Sequence, residues 1–412
     1  MLKLGTRLLP ALPARRTSMV RYMATNTPFD LDESDPKYKE LNTMYEEMFS
    51  GETVPYMSND ATDEVSEVDL LNEEIDSLYN VGMNNPRHIK INTSTELNKL
   101  IKGEGPFVLR SISHNPYFNL ALEDYLFRNT PIDKNSKSFD SHRLVFYINN
   151  KCAVIGKNQN IWEELHLQKL KEKGYEVLRR LSGGGAVLHD LGNVNYSYIC
   201  SRDEFDTKYF NGRIVSWLKQ YNHALPVSLN QRGDILSNGF KISGSAYKVA
   251  LGKAYHHGTM LIKSNLSDFK GLLKPDIIEG INWETNSVVS VRSPIENLPL
   301  PSPDTFIDLC TSQFNKMFHL NNNSYVCNES VMENNDDIKE TMQKLQSNDW
   351  KYHSGPKFKV HIRDSKTGKE HSIAVEKGFI VDSTLKGVEA QDFNNFLHNV
   401  DKYITVNKAN IL

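Results

Sequence analysis

The stretch Arg179-Arg180-Leu181-Ser182-Gly183-Gly184-Gly185-Ala186-Val187-Leu188-His189-Asp190 constrains this chain more than any other. Glycine loses more conformational freedom on folding than any other residue, so three in succession are costly to order. Packing rarely requires three together, whereas close approach of backbone amides to a ligand does. Both flanks read as strands. Residues 175–178 are one, and beyond the loop Val194, Tyr196, Tyr198 and Cys200 alternate with Asn195, Ser197 and Ile199, the two-residue period of a half-buried strand. Inward-pointing amides with Arg180 beside them suit an anion such as a phosphate or a carboxylate. A sharp turn at a sheet edge with solvated arginines fits the same residues, and local chemistry leaves both open.

Three nucleotide- and nucleophile-loop patterns are excluded here. No lysine follows the glycines as a P-loop requires, and the sixth position of a GxGxxG fingerprint, counted from Gly183, is Leu188. Ser182 precedes the glycines, so there is no GxSxG elbow.

A second cluster lies downstream. Gly233-Asp234 opens a strand, Asn238-Gly239 turns it, and Lys241 stands on the returning strand before the small residues Ser243, Gly244, Ser245 and Ala246. Small side chains leave room for a ligand beside a lysine, although a lone strand lysine also suits solvent. His256 and His257 are adjacent on a further strand and so point to opposite faces, which excludes them as joint ligands of one metal. The polar turn Gly156-Lys157-Asn158-Gln159-Asn160 fits a cleft lining and a solvated loop equally.

Composition sorts the rest of the 412 residues. Residues 1–25 contain Lys3, Arg7, Arg15, Arg16 and Arg21 and no acidic residue, the pattern of a mitochondrial transit peptide. Residues 26–104 form a polar, acid-rich extension expected to be loosely ordered, with short helices possible at 37–49 and 63–78. Order is expected from Pro106. Residues 105–320 read as a catalytic domain, 321–349 as an Asn-rich linker, and 350–412 as a small accessory domain with strands at 358–362, 373–375 and 379–381 and a helix at 390–400. Within the larger domain, helices are expected at 117–129, 161–173, 208–221 and 306–318, and a hairpin at 144–155 around Asn149-Asn150-Lys151. Strands joined by hairpins with inserted helices argue for an α+β fold with mixed, largely antiparallel sheets, rather than a repeating βαβ sheet.

A net charge of −3 gives no sign of a nucleic-acid partner. No run approaches the roughly 20 apolar residues of a membrane span. The widely spaced Cys152, Cys200, Cys310 and Cys327 form no CxxC pair and read as packed, reduced thiols.

Taken in order, five blocks resemble the lipoate–protein ligase and lipoyltransferase family. They are Asn115-Pro116-Tyr117-Phe118-Asn119-Leu120-Ala121, Val154-Ile155-Gly156-Lys157-Asn158-Gln159-Asn160, residues 179–192, Gly233-Asp234 with Lys241-Ile242-Ser243-Gly244-Ser245-Ala246-Tyr247, and His256-His257-Gly258-Thr259. The tail with Val375-Glu376-Lys377-Gly378 is similar to the family's small C-terminal domain. The resemblance implies a biotin/lipoate-ligase-like fold and a monomeric enzyme of the mitochondrial matrix. Such an enzyme activates lipoate or octanoate with ATP and Mg2+ to the acyl-AMP. It then passes the acyl group to a lysine of lipoyl domains in 2-oxoacid dehydrogenases and the glycine cleavage H protein.

The same resemblance places Lys241 between the acyl carboxyl oxygen and the phosphate. It assigns Arg180, Gly185, Ala186, Val187 and Leu188 to the acyl-adenylate, Ser182 and His257 to lipoate, and Asp234 to Mg2+. Gly233 stands where the ligases usually carry asparagine. The alternative is a transferase that takes the acyl group from a preformed donor (H protein, acyl-AMP or acyl-coenzyme A) without ATP. A non-catalytic lipoyl-domain binding protein is a third reading, and a biotin–protein ligase a more distant one.

Overall fold

The computed structural model describes residues 86–132, 139–275 and 277–407. The transit peptide expected at 1–25 and the helices expected at 37–49 and 63–78 lie outside them.

Order begins before Pro106, with strand β1 (Arg87–Lys90) and helix α1 (Ser94–Lys102). A reciprocal capping box starts α1: the Thr93 hydroxyl accepts from the Glu96 amide, and the Glu96 carboxylate accepts from the Thr93 amide. Leu97 and Ile101 fix its inner face with no exposed surface. The acid-rich average of 26–104 hid this short amphipathic helix.

Next come β2 (Phe107–Ser111) and α2 (Pro116–Asn129). Asn115 Oδ1 accepts from the amides of Tyr117 and Phe118, and Pro116 occupies the first turn. Residues Tyr117 through Phe127 are all buried, so α2 is a core helix and not a striped surface one.

The expected hairpin at 144–155 does not form. β3 (Arg143–Tyr147) joins the main sheet, while β4 (Cys152–Ile155) lies between β5 (Glu176–Arg179) and β6 (Val187–His189) in a small second sheet. Asn149 is wholly buried in the crossing and bonds Asn119 and His189, so it is a structural strut and not a turn residue. The helix expected at 161–173 is split into Ile161–Glu164 and Leu167–Glu172, because Leu165 between them bridges to Leu273.

The chain continues through β7 (Asn193–Ser201), α3 (Tyr209–Tyr221), β8 (Val227–Leu229), β9 (Ile235–Ser237), β10 (Phe240–Lys241), β11 (Ser245–Ala250) and β12 (Lys253–Leu261). Then follow β13 (Ile281–Thr285), α4 (Pro303–Met317), β14 (Asn323–Cys327) and α5 (Asp336–Gln346). The last elements are β15 (Phe358–Arg363), β16 (Glu370–Glu376), β17 (Phe379–Ser383) and α6 (Phe393–His398).

The main sheet has seven strands in the order β1-β14-β2-β3-β7-β12-β11. β1 through β3 along that order are parallel, and the pairs from β3 to β11 are antiparallel. The fold is therefore mixed α+β, as expected. Residues 321–349 are not a linker, since they supply β14 between β1 and β2, and α5 against α2. The asparagines at 321–323 masked the strand that begins among them.

β7 is buried on both faces, not one. Helix α2 covers the face with Val145, Ile199 and Tyr255. Helices α3 and α4 cover the other, where Tyr198 stacks on Phe210 with ring centroids 4.4 Å apart and Phe146 meets Phe306 edge-on. The polar half of its alternation is therefore buried too, Asn195 at 2% exposure and Ser197 at 0%.

The C-terminal sheet runs β13-β15-β16-β17. It borrows β13 from residues well before 350, pairing Trp283 with Val360. Its core is continuous with that of the small second sheet: Trp162 packs 5.5 Å from Phe358 and 5.0 Å from Phe393, centroid to centroid. Among the described residues no helix is long and apolar enough to cross a membrane.

Candidate active site

A cavity opens between the two sheets and gathers most of the residues singled out from the sequence. Tyr147, Asn195, His257, Gly258 and Thr259 line it from the main sheet, Val154 and Val187 from the second sheet, and Leu120 from α2. Gly185, Ala186 and Arg180 form the wall where the glycine loop enters, Asp234 and Lys241 face them, and Ser290 and Val291 close the edge. The lining mixes apolar side chains (Leu120, Val154, Val187, Val291) with charged ones (Arg180, Arg232, Asp234, Lys241).

The glycine loop is shaped by its own neighbours. Gly184 adopts φ +87°, a left-handed conformation that side chains disfavour. A Cβ on it would sit 2.8 Å from Arg180 Nη2 and 3.0 Å from Ala246 Cβ. Gly156, in the turn after β4, is tighter still: a Cβ there would lie 2.0 Å from the Gly184 carbonyl oxygen.

Arg180 lies beneath this loop, fully buried, and donates to the carbonyls of Gly183, Gly185 (2.8 Å) and Val154 (3.2 Å) and to Ser182 Oγ (3.1 Å). Burial pushes its pKa down to about 10, with Tyr255 and Tyr147 acting the other way. Its guanidinium therefore builds the wall more than it projects from it. Ala186 is engaged as well, its amide donating to Ser290 Oγ at 2.7 Å. Leu188 does not line the cavity: its neighbour Val187 does, and the strand's alternation sends Leu188 into the core shared with the C-terminal sheet.

Lys241 Nζ lies 2.7 Å from Asp234 Oδ1. Asn230 braces that carboxylate by donating to Oδ2 at 3.0 Å, while its own side-chain oxygen accepts the Asp234 amide at 2.9 Å. The Asn238-Gly239 turn between the two strands forms as expected, at φ 48° and 84°. A strap crosses Lys241 from the outside, its amide donating to the Pro294 carbonyl and its carbonyl accepting from Glu296.

Ser182 does not reach the cavity surface. It is one step in a chain of donors running in a single direction: Arg180 Nε to Ser182 Oγ, Ser182 to His257 Nε2 (2.9 Å), and His257 Nδ1 to the Glu123 carboxylate (3.1 Å). Both ring nitrogens of His257 are engaged, so it presents ring carbons to the cavity. His256 points to the opposite face, where it bonds Ser245, as the strand geometry required.

His189 stands on the cavity wall as well. Asn149, with its oxygen occupied by Asn119, donates to His189 Nδ1 at 3.1 Å, which leaves the proton on Nε2. Among the described residues that Nε2 has no partner, and His189 lines the cavity. Burial, then Arg180 and His257, push its pKa down to about 3, so the ring is neutral. Asp190 is a turn residue, accepting the amides of Gly192 and Asn265.

Glu123, Ser290, Gln159 and Arg232 were not named from the sequence as site residues. Gln159 lay in a block whose role stayed open; its amide nitrogen donates to Ser290 Oγ (3.0 Å) and its oxygen accepts the Gly156 amide (2.9 Å). Among the described residues no group of three or more His, Cys, Asp or Glu could hold a metal by itself. Mg2+ keeps most of its shell as water and substrate oxygens and so needs few protein ligands, and Asp234 is the one carboxylate of the cavity lining.

Charged and apolar side chains thus share one lining. Similarity to known proteins identifies the family. The model for the lipoyl protein ligase A/B catalytic domain matches residues 115–315. A Saccharomyces cerevisiae protein provisionally named lipoate–protein ligase A is 45% identical over 384 residues, covering 90% of this chain and 91% of that protein. A human mitochondrial lipoyl amidotransferase is 30% identical over 259 residues, covering 62% and 67%. The solved structure of Plasmodium falciparum LipL1 with lipoate is 31% identical, with a TM-score of 0.50 over 68% of this chain and 84% of that one. The chain belongs to the lipoate–protein ligase and lipoyltransferase family.

Proposed function

We propose that the protein is an ATP-dependent lipoate–protein ligase of the mitochondrial matrix. The observation that carries this reading is the Lys241–Asp234 pair in a cavity that is also lined by Leu120, Val154 and Val187. The acyl chain of lipoate or octanoate lies along Leu120, Val154 and Val187, beside the neutral ring of His189. Its carboxylate oxygen attacks the α-phosphorus of ATP, the bond to the bridging oxygen breaks, and pyrophosphate leaves. Negative charge gathers on the α-phosphate oxygens, and a cation already in place there lowers the barrier most. Lys241 is that cation.

Arg180 acts through the loop, holding the Gly183 and Gly185 carbonyls back so that the remaining amides and the cavity keep their shape. Asp234 is the residue that would hold Mg2+, which when bound would supply charge neutralisation for the leaving group. In the second step the amine of a lipoyl-domain lysine attacks the acyl carbon and AMP leaves. The acceptors are lipoyl domains of 2-oxoacid dehydrogenases and the glycine cleavage H protein, and the basic, acid-free leader supports a mitochondrial address.

The second reading is transfer from a preformed acyl donor without ATP. The human relative, named an amidotransferase, favours it, as does Gly233 in place of the asparagine usual in ligases. Purified protein given lipoate and ATP separates the two. Lipoate-dependent release of pyrophosphate supports the ligase; none, with transfer from lipoyl-AMP intact, supports the transferase.

A further inference from the structure

Three cations line the cavity, and they differ in what already holds them. Arg180 donates to three backbone carbonyls and a hydroxyl. Lys241 is paired with Asp234 at 2.7 Å. Arg232 is exposed, and among the described residues its guanidinium has no hydrogen bond or ion pair.

Its backbone, by contrast, is fixed. The amides of Arg232 and Asp234 both donate to Asn230 Oδ1 at 2.9 Å, and the Gly233 amide donates to the Asn230 carbonyl at 3.1 Å. Gly233 completes the turn at φ +81°. A rigid turn thus presents an uncommitted guanidinium in the cavity lining, two residues from the carboxylate that pairs with Lys241.

The charge on the lining points to the ligand. Arg180, Arg232 and Lys241 against the one carboxylate, Asp234, leave two positive charges in excess (three less one). A carboxylate, or the singly charged phosphate of an acyl-adenylate, does not balance them by itself, but a polyphosphate does. Lys241 serves the phosphate nearest the acyl group, so the outer phosphates fall to Arg232, whose planar fork takes two phosphate oxygens at once.

We propose that Arg232 binds the β- and γ-phosphates of ATP and holds the departing pyrophosphate. This rests on the ATP-dependent reading above. The test titrates the full-length protein and its Arg232→Ala and Arg232→Lys variants with Mg-ATP, inorganic pyrophosphate and AMP by calorimetry. Arg232→Ala is expected to weaken ATP and pyrophosphate by about 10- to 100-fold, the range for a lost charge-assisted hydrogen bond. AMP should stay within about twofold, and Arg232→Lys should recover part of the loss. Equal weakening of AMP, or no weakening of pyrophosphate, overturns the assignment. Wild-type protein that binds neither ATP nor pyrophosphate overturns it together with the ligase reading. Wild-type protein that binds pyrophosphate yet releases none from lipoate and ATP removes only the ligase reading, and the variant titrations still decide Arg232.

Discussion

Lys241 is held by a carboxylate on the neighbouring strand and by a strap over its own backbone, so its amine is placed before any substrate arrives. Lys241→Ala should slow acyl-adenylate formation by about 10²- to 10³-fold, the usual cost of losing one donor at a developing oxyanion. Lipoate-dependent ATP–pyrophosphate exchange measures it, with calorimetric lipoate titration as the control for a folded cavity.

Two buried histidines give a pH signature. His189 and His256 have pKa values pushed down to about 3 from 6.5, by burial first, then by Arg180 and His257 for His189 and by His257 for His256. Between those values the unfolded chain binds more protons than the folded one, so stability rises with pH across the window. It is lost as pH falls below about 6.5, by up to about 1.4 kcal/mol per pH unit for each histidine. Denaturant unfolding from about pH 7.5 down to about pH 5 should show this slope, and His256→Gln should lessen it. Lys241, Asp234 and His257 could be named from the sequence because each sits in a short block that resembles the family's, in the family's order. Glu123 and Ser290 could not. Their partners, His257 and Ala186, are 134 and 104 residues away, and only the fold joins them.

The glycine loop works as an element because other elements leave it no freedom. Gly156 is the tightest of these contacts, and the obstacle to a side chain there is backbone. Gly156→Ala should therefore destabilise the protein by about 1–3 kcal/mol, the usual cost of overpacking, and weaken acyl-adenylate binding. Gly183→Ala, where a Cβ meets nothing within 4 Å, should do far less. Chemical denaturation of the two variants compares them. The loop's strands were legible in their apolar runs, but not their partners. β4 follows β3 after a turn that looks like a hairpin, yet Asn149 turns inward and β4 pairs with β5 and β6. β14 was hidden by the asparagines around it, since pairing on both edges outweighs local propensity.

Across the whole molecule, the C-terminal sheet is bound to the site. Arg179 is buried and donates to the carbonyls of Gly156, Lys157 and Gln159 on one side and Lys351 on the other, while Trp350 Nε1 donates back to the Arg179 carbonyl at 2.7 Å. Together with the Trp162–Phe358–Phe393 cluster, this ties 350–407 to the turn beneath the glycine loop. Truncation after residue 349 should lose far more than a detachable module would. The expected result is aggregated protein or a lowered melting temperature, measured by thermal unfolding, and a single cooperative transition in the intact chain. The sequence marked the tail's strands, but β13 joins them from before residue 286, a pairing that no local pattern announces.

The account as a whole stands on the chemistry at Lys241. Purified protein given lipoate, Mg2+ and ATP should release pyrophosphate in a lipoate-dependent burst and form lipoyl-AMP, and Lys241→Ala should abolish the burst. Wild-type protein that lipoylates a lipoyl domain from added lipoyl-AMP, yet releases no pyrophosphate from ATP, would contradict it.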